Sequence, residues 1–204
     1  DTYPITITEG SVAIGTYTAN YNITLQPGTL TITTSSVEIT VVPGSGSKTY
    51  DGTALTKTEH DDFTVTGVPE GFTWTAAADG TVTNVTPGEG EKAVNAVTEF
   101  KIFNADGEDV TAQFANIDTT ATGKLTINPR PITLKANDAS NEYTGSTITY
   151  ATASDAVEPY YTISSGSLAN GQSITAITLT GEGIEADTYP ITITEGSVAI
   201  GTYT

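Results

Sequence analysis

The chain has no cysteine and no methionine, one histidine (His60), one tryptophan (Trp74) and only 7 lysines and arginines among its 204 residues. The missing cysteines exclude a disulfide framework, a thiolate zinc site and thiol catalysis. The shortage of cations, against 24 Asp and Glu for a formal net charge of −17, excludes a nucleic-acid partner, because phosphate binding needs a concentrated basic face. Docking on anionic lipid is disfavoured for the same reason. No apolar run approaches the roughly 18 residues of a membrane span, so no membrane insertion is expected. A soluble, self-repelling surface is expected instead. Without methionine the chain is also expected to be an internal or processed piece of a longer one.

Threonine is abundant, with 42 residues. Thr, Val, Ile and Tyr favour strands, while the helix formers Lys, Arg and Leu are scarce. Apolar side chains alternate with Thr in Ile5-Thr6-Ile7-Thr8, and the same period of two runs through Tyr21, Ile23 and Leu25 and through Val37, Ile39 and Val41. Glu9-Gly10 and Gln26-Pro27-Gly28 punctuate these runs as turns, before Leu30 and Ile32 form another strand. Ile132 and Leu134 begin a further one. The pattern predicts an all-β fold. Short helices are expected only around Glu91–Val97 and Asp109–Phe114.

Residues 1–18, DTYPITITEGSVAIGTYT, recur unchanged as residues 187–204, an offset of 186. Identity over 18 positions implies a tandem array with that period. A weaker echo lies inside it. Tyr50-Asp51-Gly52 answers to Tyr143-Thr144-Gly145, 93 residues on, and Gly28-Thr29-Leu30-Thr31-Ile32 to Gly123-Lys124-Leu125-Thr126-Ile127, 95 residues on. Thr18-Ala19-Asn20-Tyr21-Asn22-Ile23 has a looser cousin in Thr111–Ile117. One period therefore holds two diverged modules. Residues 37–129 are a complete module A. Residues 130–204 open a module B, and residues 1–36 are the closing strands of another B. Residues 19–36 of one copy are expected to complete the B module begun by residues 130–204 of an adjacent repeat or chain. Residues 1–18 and 187–204 compete for the same place in it. The linkers Thr33–Ser36 and Asn128-Pro129-Arg130-Pro131 are short, and the prolines favour an extended path, so modules are expected end to end as a rod.

Several of these segments carry a family resemblance. Residues 131–138 (PITLKAND), Tyr143-Thr144-Gly145, Gly15-Thr16-Tyr17, Asn20-Tyr21-Asn22-Ile23 and Gly28–Ile32 resemble the MBG-type repeats of bacterial surface proteins. Module A, with Tyr50-Asp51-Gly52, Val65-Thr66-Gly67 and residues 106–111 (DGEDVT), is similar to the variant common in wall-anchored Gram-positive proteins. It departs at Phe114-Ala115-Asn116-Ile117, where the pattern has Asn-Tyr-x-Ile. The resemblance implies β-sandwich or β-grasp-like modules strung along extracellular stalks, fibres or adhesins at the cell surface, and no catalytic residues. It also raises Lys–Asn isopeptide locking, with Lys101 and Lys135 in strand-like runs and Asn84 and Asn22 in others, though the sequence gives no pairing.

The chemistry-bearing residues are few. His60, beside Asp61 and Asp62, is the only imidazole, and Gly44-Ser45-Gly46-Ser47 does not supply the G-x-S-x-G elbow of a serine hydrolase. The 24 acids offer pairs for glycoside hydrolysis, but an array repeating its unit verbatim argues against an enzyme. Asn104, Asp106, Glu108 and Asp109 around Gly107 offer oxygen ligands that suit Ca²⁺ but lack the spacing of an EF-hand, and a hairpin turn explains the same residues. Trp74, near Phe63 and Phe72, reads as core or as a sugar platform. Tyr160 and Tyr161 are the better ligand-binding candidates. No cofactor is expected. The leading expectation is a structural, non-enzymatic repeat giving reach and stiffness. The alternative is an adhesin repeat binding a host glycan or protein by avidity.

Overall fold

A computed structural model describes residues 1–8, 11–12, 20–151 and 160–202. The Glu9-Gly10 turn and the Gly15-Thr16-Tyr17 and Thr18-Ala19 parts of the motifs lie outside them. The protein is all-β, with no α-helix among the described residues. The first strands are β1 (Thr2–Ile5) and β2 (Gly28–Thr31). Residues 35–128 supply β3 (Ser35–Val42), β4 (Gly46–Thr49), β5 (Leu55–Thr56), β6 (Thr64–Thr66), β7 (Thr73–Ala78), β8 (Thr81–Val82), β9 (Val94–Phe103), β10 (Phe114–Asp118) and β11 (Thr122–Asn128). Residues 132–202 supply β12 (Ile132–Ala136), β13 (Ile148–Ala151), β14 (Tyr161–Gly166), β15 (Gln172–Ala176), β16 (Leu179–Gly183), β17 (Thr192–Ile193) and β18 (Ala199–Thr202).

These strands fall into two compact units that cut across the sequence modules, residues 37–129 contributing to both. The first unit holds residues 1–42, 59–77 and 97–121. In it β3 lies between β10, parallel, and β6, antiparallel. The period of two in Val37, Ile39 and Val41 points these side chains inward, and Ile39 and Val41 are fully buried, as is Ile102 on β9. Phe63 and Phe114 are buried as well, and Phe72 meets Phe114 edge to face at 5.5 Å. β1 and β2 form a separate antiparallel ladder. None of the described residues between 1 and 36 is buried.

The second unit holds residues 43–58, 78–96 and 122–204. One core gathers Val82, Leu125 and Ile127, with Tyr50, Leu55 and Ala93 against them. β11 runs through it, parallel to β4 on one side and antiparallel to the start of β9 on the other. Buried Asn95 ties this region together. Its Oδ1 accepts the Gly80 N–H at 2.8 Å, and its Nδ2 donates to the carbonyls of Gly44 (3.0 Å) and Lys57 (2.8 Å). A buried amide without those partners would cost the fold its desolvation. A second core joins Tyr161, Ile174, Ile177 and Leu179, with Leu134, Ile191, Ile193 and Val198 packed on it.

The A and B segments share a local device. Gly67, just after β6, and Gly166, the last residue of β14, both have φ near +80°, at +87° and +76°. A Cβ on Gly67 would meet the Glu38 carbonyl oxygen at 1.9 Å, and one on Gly166 the Pro131 carbonyl oxygen at 2.3 Å. Only glycine fits such a position. Glu38 and Pro131 are 93 residues apart, the spacing of the Tyr-x-Gly echo.

Both expected helices are corrected. Residues 94–97 lie in β9, which pairs with β11 through Thr122↔Ala96, Gly123↔Asn95 and Lys124↔Val94, and the ladder overrides the helical propensity of this Glu/Lys/Ala-rich stretch. Around Asp109–Phe114 only a 3-10 turn forms, Thr111–Gln113, after which Phe114 enters β10.

Candidate functional site

A cleft of about 350 Å³ lies in the second unit, between Ala139–Asn141 with Tyr143 on one side and Gly181–Ile191 on the other. Gly181–Gly183 in its wall belong to β16 and pair with β13, whereas two other lengths of the wall lie outside any ladder. Among the described residues, neither 139–142 nor 188–191 pairs with another strand. Tyr143 and Tyr189 stand exposed at 62% and 41%. The Tyr189 ring lies over Gly183, where a Cβ would sit 2.2 Å from it. Glu182, Glu185 and Asp187 fringe the cleft with negative charge.

The corresponding place in residues 43–128 is filled. Adding 93 to Gly46–Thr49 (β4) gives residues 139–142. There β4 is a strand because β11 pairs with it, Leu125 opposite Gly46 and Ile127 opposite Lys48. Leu125 and Ile127 are 2% and 3% exposed. Their counterparts in the Gly-x-Leu-Thr-Ile echo, Leu30 and Ile32, are 49% and 56% exposed. Residues 130–202 thus contain a slot and residues 28–32 an uncovered strand. The sequence reading missed the slot residues. The 93-residue offset applied to β4 was the signal that finds them.

The passage from residue 128 to residue 132 is pinned inside the second unit. The Arg130 guanidinium donates through Nε to the Ser167 carbonyl at 2.6 Å and through a terminal nitrogen to the Ser167 hydroxyl at 2.6 Å, with a longer contact to the Tyr50 carbonyl at 3.4 Å. The Gln172 amide donates to the Tyr50 hydroxyl at 2.7 Å. Planar, forked donors of this kind fix orientation as well as distance.

The remaining candidates separate. Tyr161 is corrected as an exposed ligand residue: the alternation of β14 turns it inward, and it is buried in the second core. Tyr160 stays 40% exposed. Asn104, Asp106, Glu108 and Asp109 form a hairpin turn at positive-φ Gly107. The Asn104 side-chain oxygen accepts the N–H groups of Asp106 and Glu108, and its amide donates to the Glu108 carboxylate. Asp109 turns away to Thr111. Among the described residues no three acidic or histidine side chains converge as a metal-ligand set. His60 stacks on Trp74 at 4.0 Å and 15°, and Trp74 leans on Phe100, so the indole face is covered by the imidazole. Lys101 pairs with Glu99, Lys135 with Asp138, and the Asn84 amide donates to Glu91.

Several surface carboxylates are held below their ordinary range. At Asp51 the cause is first the Lys48 ammonium and then Thr53. At Asp79 it is Lys92. Glu91 is lowered by backbone N–H groups, Gly88 foremost, and Asp109 and Asp118 by the threonine two residues on. Each Asp-x-Thr unit staples its own turn. These groups order loops and form no reacting constellation. No known protein family, curated protein or solved structure matches the chain.

Proposed function

We propose that the chain is a structural, non-enzymatic repeat of an extracellular bacterial stalk or fibre, whose partners are neighbouring copies of the same repeat. The observation that carries this reading is the verbatim recurrence of residues 1–18 at 187–204. An array of identical units supplies length, whereas catalysis rarely calls for many copies of one site. The MBG-type resemblance supports the same reading, and so does the pinned passage through Arg130, which limits hinging where one sequence module gives way to the next. Residues 19–36 of one copy complete the module begun by residues 130–204 of the adjacent repeat.

Small-angle scattering on a chain of several periods tests it. A ten-residue strand spans on the order of 33 Å, so two modules end to end advance the particle by roughly 70–90 Å per period. A maximum dimension growing by that amount with each period is expected. A compact globule, or an advance well below roughly 60 Å, contradicts the stalk.

A further inference from the structure

We infer that the cleft between residues 139–142 and 188–191 is a strand-acceptor slot for residues 28–33 of a second copy of this chain, entered in one register. The inference deepens the tandem-repeat reading and rests on it. The occupant is identified by sequence identity. Residues 188–191 repeat residues 2–5, and the strand that pairs with residues 2–5 is visible: Thr2↔Thr31, Tyr3↔Leu30, Pro4↔Thr29 and Ile5↔Gly28. The same four residues at 188–191 present the same sequence with no strand paired to it among the described residues. Antiparallel pairing there sets Thr31 against Thr188, Leu30 against Tyr189 and Gly28 against Ile191.

The opposite wall gives the same answer independently. The β11–β4 ladder, carried over by the two echoes, sets Leu30 against Ala139, Thr31 against Ser140 and Ile32 against Asn141, in parallel. The two registers are compatible, because β11 itself meets β9 and β4 in this way: Gly123 faces Asn95 as Gly28 faces Ile5. Gly123 sits where a Cβ would strike the Gly44 carbonyl oxygen at 2.1 Å, and its counterpart Gly28 brings the same bare backbone to the slot. Entry exchanges the β1–β2 ladder for one of identical sequence, so ladder hydrogen bonds are conserved. Leu30 and Ile32 gain cover that they lack beside β1. The donor segment Gly28–Thr33 carries no charge, which suits a slot fringed by Glu182, Glu185 and Asp187. The contact is heterologous: each copy offers a donor in its first unit and a slot in its second, so one copy's donor entering the next copy's slot extends the assembly without closing it.

Register-specific cross-linking of the full chain is the test. A Thr31→Cys copy is mixed with a Thr188→Cys copy under mild oxidation, the parent chain having no cysteine of its own. Directly opposed residues on paired strands lie within disulfide reach. A disulfide heterodimer is expected, with loss of that species when Thr188→Cys is replaced by Thr162→Cys, an exposed position on β14 away from the slot. A Leu30→Asp, Ile32→Asp chain, altered only at exposed positions, should keep its circular dichroism and lose the concentration-dependent growth seen by light scattering. Raising the salt should promote growth by screening the acidic fringe. Equal cross-linking to positions 188 and 162, or growth unaffected by the double variant, overturns the slot. A compact multi-period chain in scattering would remove the stalk reading while leaving the cross-linking result standing, so the two failures are distinguishable.

Discussion

Ile7 and Ile193 stand at the same place in the same eighteen-residue sequence, yet one is 48% exposed and the other packs on the core of Ile174, Ile177 and Leu179. The ladders differ in a complementary way. In the first copy Thr2–Ile5 is paired with β2, and Thr6–Thr8 joins no strand among the described residues. In the second, Thr188–Ile191 joins no strand among the described residues and Thr192–Ile193 pairs with β16. Each copy makes the pairing the other lacks. Local propensity is identical in the two, so the difference lies wholly in which neighbours are present, the dependence expected of β-structure.

The sharpest way to break this comparison is to cut the same side chain from the filled and the uncovered strand. Leu125→Ala should destabilise by about 3 kcal/mol, because it leaves a cavity in the core it shares with Val82 and Ile127. Leu30→Ala in dilute solution should stay within about 0.5 kcal/mol. Urea unfolding followed by circular dichroism reads both. Equal losses would show Leu30 to be packed. A smaller contrast follows from the repeat itself: Ile193→Ala, half-buried on its core, should cost about 1–2 kcal/mol and Ile7→Ala within about 0.5 kcal/mol.

Acid makes the smallest difference. The depressed carboxylates, Asp51, Asp79, Glu91, Asp109 and Asp118, all lie between residues 51 and 118, and the counterpart of the Asp51–Thr53 staple is a weaker Thr144–Ser146 contact at 3.4 Å. A carboxylate whose folded pKa is depressed stabilises above its unfolded value, about 4. That contribution is lost as pH falls from there through the folded value. All five groups lie at the surface, Asp51, Asp79 and Glu91 half-buried and Asp109 and Asp118 exposed, and solvent screens them, so the effect is small. The urea midpoint should therefore hold between pH 7 and 5 and decline below about pH 4. A decline already complete at pH 5 would contradict these assignments.

Much of the fold was legible because the period of two is a local signal. Val37, Ile39 and Val41 alternate in sequence and turn inward in β3, and Leu125 and Ile127 do so in β11. Residues 94–97 were misread because their composition favours helix while a partner 26 or more residues away decides the outcome. Tyr161 was misread because adjacent tyrosines in a strand face opposite ways, and sequence alone does not say which faces the core. The slot was hidden for another reason. It is the space between residues 139–142 and 188–191, and no single segment announces a missing neighbour.

Amide hydrogen exchange at residues 188–191 tests the central claim most directly. Asp1 and Ile32 exchange hydrogen bonds at 2.8 Å, so the antiparallel alternation makes Tyr3 and Ile5 the next bonded residues, and Tyr189 and Ile191 their counterparts. In the dilute single chain these two amides should exchange freely. In a chain carried on through a second period they should become protected along with Leu30 of that period. Equal exchange of Tyr189 and Ile191 in both chains would contradict the claim that this edge receives the strand.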